Sequence, residues 1–172
     1  MIRLVGAALI LFAGTMIGFL QAARFAERPK QIRHLLHALQ RLETEIGYGQ
    51  TPLPEALLRV AKVLPPPLAG LFERIAGELR SASGETVKAA WERIIGGGWA
   101  STAMRAGELE AMLRLGASLG GSGRDDQLKH VRLAMLQLQA EETAAREDQA
   151  KYERLSRSLG VLGAALVVIL MM

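Results

Sequence analysis

With 172 residues the chain has room for one domain with a substantial core and too little for two ordinary ones. Half of it is hydrophobic and only 5% aromatic, a balance dominated by Ala, Leu, Arg, Glu and Gln that points to helices; the absence of cysteine excludes a disulfide framework, a zinc-thiolate site and a cysteine nucleophile. The net charge of +4 is modest, as suited to anionic lipid as to nucleic acid, and less clustered than an enzyme for acidic substrates requires.

Residues 4–20 carry no charge, with Arg3 before them and Gln21 and Arg24 after. Extended through Ala23 they reach the length of a spanning helix, at about 1.5 Å per residue. A cleaved signal peptide is the competing reading, with Gln21, Ala22 and Ala23 as its cleavage site. Continuity of the helical pattern through Arg24 and Phe25 favours a retained membrane helix over residues 1–23. Within it Gly14 and Gly18 form a G-x-x-x-G pair of the kind that lets membrane helices approach closely, a route to self-association.

From Ile32 the apolar residues Ile32, Leu35, Leu36, Leu39, Leu42 and Ile46 recur in steps of three and four, one stripe of an amphipathic helix. Arg33, His37, Arg41 and Thr44 take the opposite face. Glu43 lies near the edge of the stripe, so it is expected to be partly buried and paired, with Glu45 further out. Gly47 and Gly49 bend the chain, Tyr48 is expected to pack at the corner, and Thr51 is expected to cap a second helix from Pro52 to about Leu64. Pro65, Pro66 and Pro67 end that helix and open a third, with Leu68, Leu71, Phe72, Ile75 and Leu79 inward until the break at Ser81 to Gly84. A fourth helix is expected from Glu85 to about Ile95, with Trp91 as core anchor and Gly96, Gly97 and Gly98 ending it. Trp99 falls in a loop and is expected to pack over a core edge.

A fifth helix over Arg105 to Leu119 turns Leu109, Met112, Leu113 and Leu115 inward. After the glycines of 116–123 a sixth begins at Arg124 or Asp125, with Asp125 or Asp126 holding its open amides, and meets no stop before the C-terminus. Leu128, Val131, Met135 and Leu138 continue its inner stripe. The charge-free run 159–172 reads as a second membrane segment, or else as a hydrophobic tail buried against the first. Arg24, Arg28, Lys30 and Arg33 after the first segment, and Lys151, Arg154 and Arg157 before the second, place the intervening domain on the cytoplasmic side and let the first four meet anionic headgroups. The organisation is thus a membrane helix at 1–23, an all-α six-helix bundle at 24–157 and a C-terminal membrane segment at 158–172.

Chemistry-bearing motifs are sparse. His34 and His37 have a spacing that seats two metal ligands but lack a third, and His130 stands alone. The glycine-rich segment 116–123 lacks the Gly-Lys-Ser/Thr ending of a phosphate loop, and no G-x-S-x-G elbow or H-E-x-x-H pattern appears. Basic residues without aromatic interleaving or a groove-reading motif speak against nucleic acid. No catalytic residue, metal or cofactor is therefore assigned. The candidate functional surface is the charged start of the last helix, with Arg124, Asp125, Gln127, Lys129 and His130, together with Glu43.

Several runs resemble the stage III sporulation protein AB family: E-R-P-K-Q-I-R at Glu27 to Arg33, A-L-Q-R-L-E-T-E-I at Ala38 to Ile46, and Y-G-Q-T-P-L-P-E-A at Tyr48 to Ala56. Trp91 follows, then L-G-A-S-L-G at Leu115 to Gly120, D-D-Q-L-K-H at Asp125 to His130 and K-Y-E-R-L-S-R-S-L-G at Lys151 to Gly160. The resemblance implies a membrane-tethered helical domain similar to the cytoplasmic domains of the type II secretion inner-membrane platform protein. It also implies a place in the mother-cell membrane, in the channel complex that joins mother cell and forespore during engulfment. The implied partners are a cytoplasmic secretion-type ATPase and the other channel proteins, and the implied role is non-enzymatic. Two other classes remain open from the residues: a secreted helical binding protein, if the chain is cut near Ala23, and a membrane-bound enzyme with a polar cleft around Glu43.

Overall fold

The computed structural model describes residues 26–48, 51–81 and 84–171, and the side chains of these except 153 and 156–171. Six α-helices and one 3-10 turn make up the regular structure of the described residues, with no strand among them. They are α1 (26–48), α2 (Leu53–Ala61), α3 (Leu68–Arg80), α4 (Val87–Gly98), α5 (Ala106–Leu119) and α6 (Arg124–Met171), the 3-10 turn Trp99–Ser101 following α4.

The amphipathic stripe of α1 is buried as its spacing predicts. Ile32, Leu35, Leu36, Leu39 and Leu42 enter the core, while Arg33, His37, Arg41 and Thr44 face solvent. Each fully buried leucine or isoleucine contributes about 1.5–3 kcal/mol. α2 packs on α3, α3 on α4, α4 on α5 and α5 on α6. α1 joins that chain through Glu45 to Arg59 of α2 and through Arg28 to α5 and α6.

Trp91 anchors the interior: it meets Phe72 edge to face with centroids 5.8 Å apart, and its Nε1 donates to the carbonyl of Met112 at 2.7 Å. One residue of α5, the one that follows its end and one of α4 show why glycine stands where it does. A Cβ on Gly116 would collide with the Trp91 ring, one on Gly120 would lie 2.5 Å from Val87 Cβ, and one on Gly98 would collide with Leu71. Trp99 packs as expected, nearly buried, with its Nε1 donating to Arg105 O at 3.0 Å.

Several element ends differ from the sequence expectation. The glycines 96–98 do not stop α4 but form its last turn, and at Gly98 the close approach of Leu71 leaves no room for a side chain. Its start is set by Thr86, whose Oγ1 accepts from Ala89 N at 3.2 Å. Pro52, not Thr51, holds the N-cap position of α2; with Pro54 lacking an amide hydrogen, the Pro52 carbonyl takes up Glu55 N and Ala56 N at 3.0 Å. α2 ends at Ala61, three residues short of the expected Leu64. α1 continues helically through Gly47, and Tyr48 is not packed at the corner but 91% exposed. The inner face of α5 is rotated from the expected one: Leu109 and Leu113 are half-buried, while Glu108, Ala111, Met112, Leu115 and Leu119 lie inside. Among the described residues no helix is long and apolar enough to cross a membrane. The first expected segment, residues 1–23, and the side chains of the second, 158–172, lie outside them.

Candidate partner surface and the charge lock behind it

α1 and α6 run antiparallel, so the bundle has two distinct ends. At one end α1 begins, and there Arg28 is only 5% exposed. Its Nε donates to Glu108 Oε1 at 2.7 Å and its Nη2 to Glu141 Oε2 at 2.8 Å, with Asp148 Oδ2 3.7 Å from Nη1. Glu108 is fully buried and also accepts the Arg105 amide at 2.9 Å, while the Arg105 guanidinium reaches Asp148 at 2.9 Å. Two cations and three carboxylates thus tie the start of α1 to the start of α5 and the middle of α6. Every buried side-chain polar atom among the described residues has a partner. Nearby, Gln31 Oε1 accepts Ala103 N at 2.8 Å, and Arg33 lies 3.3 Å from Glu142.

This geometry separates the four basic residues grouped from sequence. Arg28 is turned inward and engaged by carboxylates, leaving nothing for a headgroup; a desolvated guanidinium requires such partners. Lys30 and Arg33 are exposed, Lys30 paired with Glu27 at 2.9 Å, and Arg24 lies outside the described residues.

At the opposite end α1 stops beside the start of α6. Arg124, Asp125 and Lys129 are exposed there and enter no ion pair among the described contacts. Tyr48 stands on the same end, since the neighbouring Gly47 lies against Leu128. The other residues assigned to this surface are engaged within the chain. Gln127 Nε2 donates to Leu119 O at 3.1 Å and Ser122 O at 3.0 Å, closing the loop before α6. His130 Nε2 lies 3.6 Å from Asp126 one turn back. Glu43 accepts from Arg132 Nε at 2.6 Å, the partner that its half-buried position requires. Glu45, expected further out, is the more buried of the two at 14% side-chain exposure against 26%, because Arg59 of α2 covers it. The surface therefore narrows to Tyr48, Arg124, Asp125 and Lys129.

Among the described residues no three His, Asp or Glu side chains converge as a metal site, so His34 and His37 find no third ligand there. Glu108 is the residue that sequence reading missed. Its one signal is a carboxylate three residues after the last non-helical residue of α5, which favours binding the open amides. Its burial depends on Arg28, 80 positions away.

The sequence profile for "Stage III sporulation protein AB" matches residues 3–172. This chain belongs to the stage III sporulation protein AB family. Stage III sporulation protein AB of Bacillus subtilis (strain 168) is 40% identical over 172 residues, covering all of both chains. A solved structure of a stage III sporulation protein AB superposes with a TM-score of 0.68 at 39% identity, covering 73% of this chain and 98% of the solved one. The runs quoted above thus mark true membership of this sporulation family, and the helical bundle is a fold the family shares.

Proposed function

We propose that the chain is a membrane-tethered, non-enzymatic platform of the channel complex between mother cell and forespore, coupling a cytoplasmic secretion-type ATPase to the membrane and the ring assembly. The observation that carries this reading is polarity. The chain enters α1 at the Arg28 end, α6 runs out past that same end, and the opposite end presents Tyr48, Arg124, Asp125 and Lys129 with no ion pair among the described residues. A scaffold needs this division: one end held, the other free to bind. Membrane residence with the bundle on the cytoplasmic side is supported by the apolar runs and their basic flanks, and the mother-cell membrane is what the family resemblance implies. Lys30, Arg33 and Arg24 remain the residues suited to anionic headgroups.

In sporulating cells the variant Arg124→Glu/Lys129→Glu is expected to accumulate in the membrane at normal level and to fail in spore formation. Normal spore yield from that variant would overturn the assignment of the surface.

A further inference from the structure

α6 turns Val131, Ala134, Leu138 and Ala145 into the core and leaves its opposite face bare. Along that bare face Lys129, Leu133, Leu136, Ala140, Thr143 and Glu147 follow one another in alternating steps of four and three, all of them exposed. Leu133 is 50% exposed and Leu136 63%. Single surface leucines are ordinary. Two on adjoining turns, continued by Ala140, form a stripe with the spacing along which a second helix packs, on the side of a surface helix that is otherwise polar.

The polar groups beside this stripe are already engaged. On the α1 side Arg132 donates to Glu43 at 2.6 Å and Arg146 to Glu142 at 2.6 Å; on the α5 side Gln137 accepts from Arg114 at 2.6 Å. Thr143 turns its hydroxyl back onto the carbonyl of Gln139 at 3.1 Å. Lys129 and Glu147, at the two ends, enter no ion pair or side-chain hydrogen bond among the described residues. The stripe thus sets an apolar centre between a free cation and a free carboxylate about 27 Å, or five turns, apart.

We propose that this face takes an amphipathic α-helix of another protein, one whose apolar stripe carries a carboxylate level with Lys129 and a cation level with Glu147. A neighbouring copy in the same membrane face would run parallel and set Lys129 against Lys129 and Glu147 against Glu147, a like-charge match that disfavours it; this exclusion rests on the membrane reading given under Proposed function. A stretch of α6 laid antiparallel meets the requirement. Facing numbers then add to 276, which brings Lys129 to Glu147, Leu136 to Ala140, Leu133 to Thr143 and Asp125 to Lys151. A free peptide can lie that way, whereas copies held in one membrane face cannot.

The probe is therefore a dye-labelled peptide of residues 125–151, titrated by fluorescence anisotropy onto the full chain in lipid nanodiscs. The wild-type peptide is expected to bind, and the peptide carrying Lys129→Glu/Glu147→Lys to bind only a full chain with the same exchange. Leu136→Glu in the full chain, at unchanged helicity, is expected to abolish binding of the wild-type peptide. It stands about two turns from Lys129, so binding of the ATPase is expected to survive. No binding of the wild-type peptide, or binding indifferent to the charge exchange, would overturn the proposal. A full chain that pairs with itself and loses that pairing in Leu136→Glu would also overturn it, assigning the face to a second copy. Peptide binding without ATPase binding would uphold the docking face and defeat only the platform reading.

Discussion

Arg28 and Glu108 form the contact whose loss is expected to cost most, since removing one partner strands a buried charge. Arg28→Met in a fragment spanning residues 26–152 is expected to lose about 3–5 kcal/mol by chemical denaturation, a range set by broken buried pairs. Adding Glu108→Gln keeps an acceptor for the Arg105 amide while removing the stranded charge, and Glu141 and Asp148 are exposed enough to turn to water. The double variant is therefore expected to be more stable than Arg28→Met alone; additive losses in the double-mutant cycle would contradict the coupling. At this scale the sequence was legible for Glu43, whose place at the edge of a stripe announces a partner, and for Trp91 and Trp99. It was not legible for Arg28, which reads as one of a basic group until α5 and α6 bring three carboxylates around it. Helical periodicity reports which face a residue occupies and is silent on what the other helices place opposite.

Among elements, α4 and α5 separate two uses of glycine. Gly97 is exposed within α4 and a Cβ there would touch nothing within 4 Å, so Gly97→Ala is expected to stabilise the fragment by about 0.5–1 kcal/mol. Gly116→Ala drives a methyl into the Trp91 ring and is expected to destabilise by about 1–3 kcal/mol. Thermal unfolding of the two variants checks both signs. At the start of α4, Arg93 hydrogen-bonds Glu85 at 2.7 Å and holds its carboxyl below the ordinary range, and Glu85 in turn raises the Arg93 guanidinium. A depressed carboxyl contributes stability that is complete above the ordinary carboxylate pKa and lost as pH falls through the lowered value. The pair is exposed, so the effect on folding is small; a carboxyl titration followed by NMR is expected to show Glu85 return to the ordinary range in Arg93→Ala, and an unchanged midpoint would contradict the pairing. Helix existence was readable from the apolar stripes and from the prolines before α3. Helix ends were less so: three consecutive glycines read as a terminator, yet they form the last turn of α4, and the place of Gly98 is explained by Leu71, a contact that lies outside the local sequence.

At the scale of the whole molecule, the arrangement that matters is the antiparallel pairing of α1 with α6, which puts the exits toward both apolar runs at one end and the unpaired charges at the other. The six-helix, all-α class and the family were legible from periodicity and from the quoted runs. The composition of the free end was legible in part: Arg124, Asp125 and Lys129 stand out as a charged helix start, whereas Tyr48 joins them only because α1 runs on through Gly47 to meet Leu128. Gln127 and His130 drop out because a loop and a carboxylate one turn away claim them. The most direct measurement is binding of the cytoplasmic secretion-type ATPase to the helical bundle, residues 24–157, by titration calorimetry, with the wild-type sequence and with Arg124→Glu/Lys129→Glu of equal helicity. Binding that weakens markedly on charge reversal is the expected result; equal binding by both sequences, or none by a well-folded wild-type bundle, would contradict a platform that meets its motor through this end.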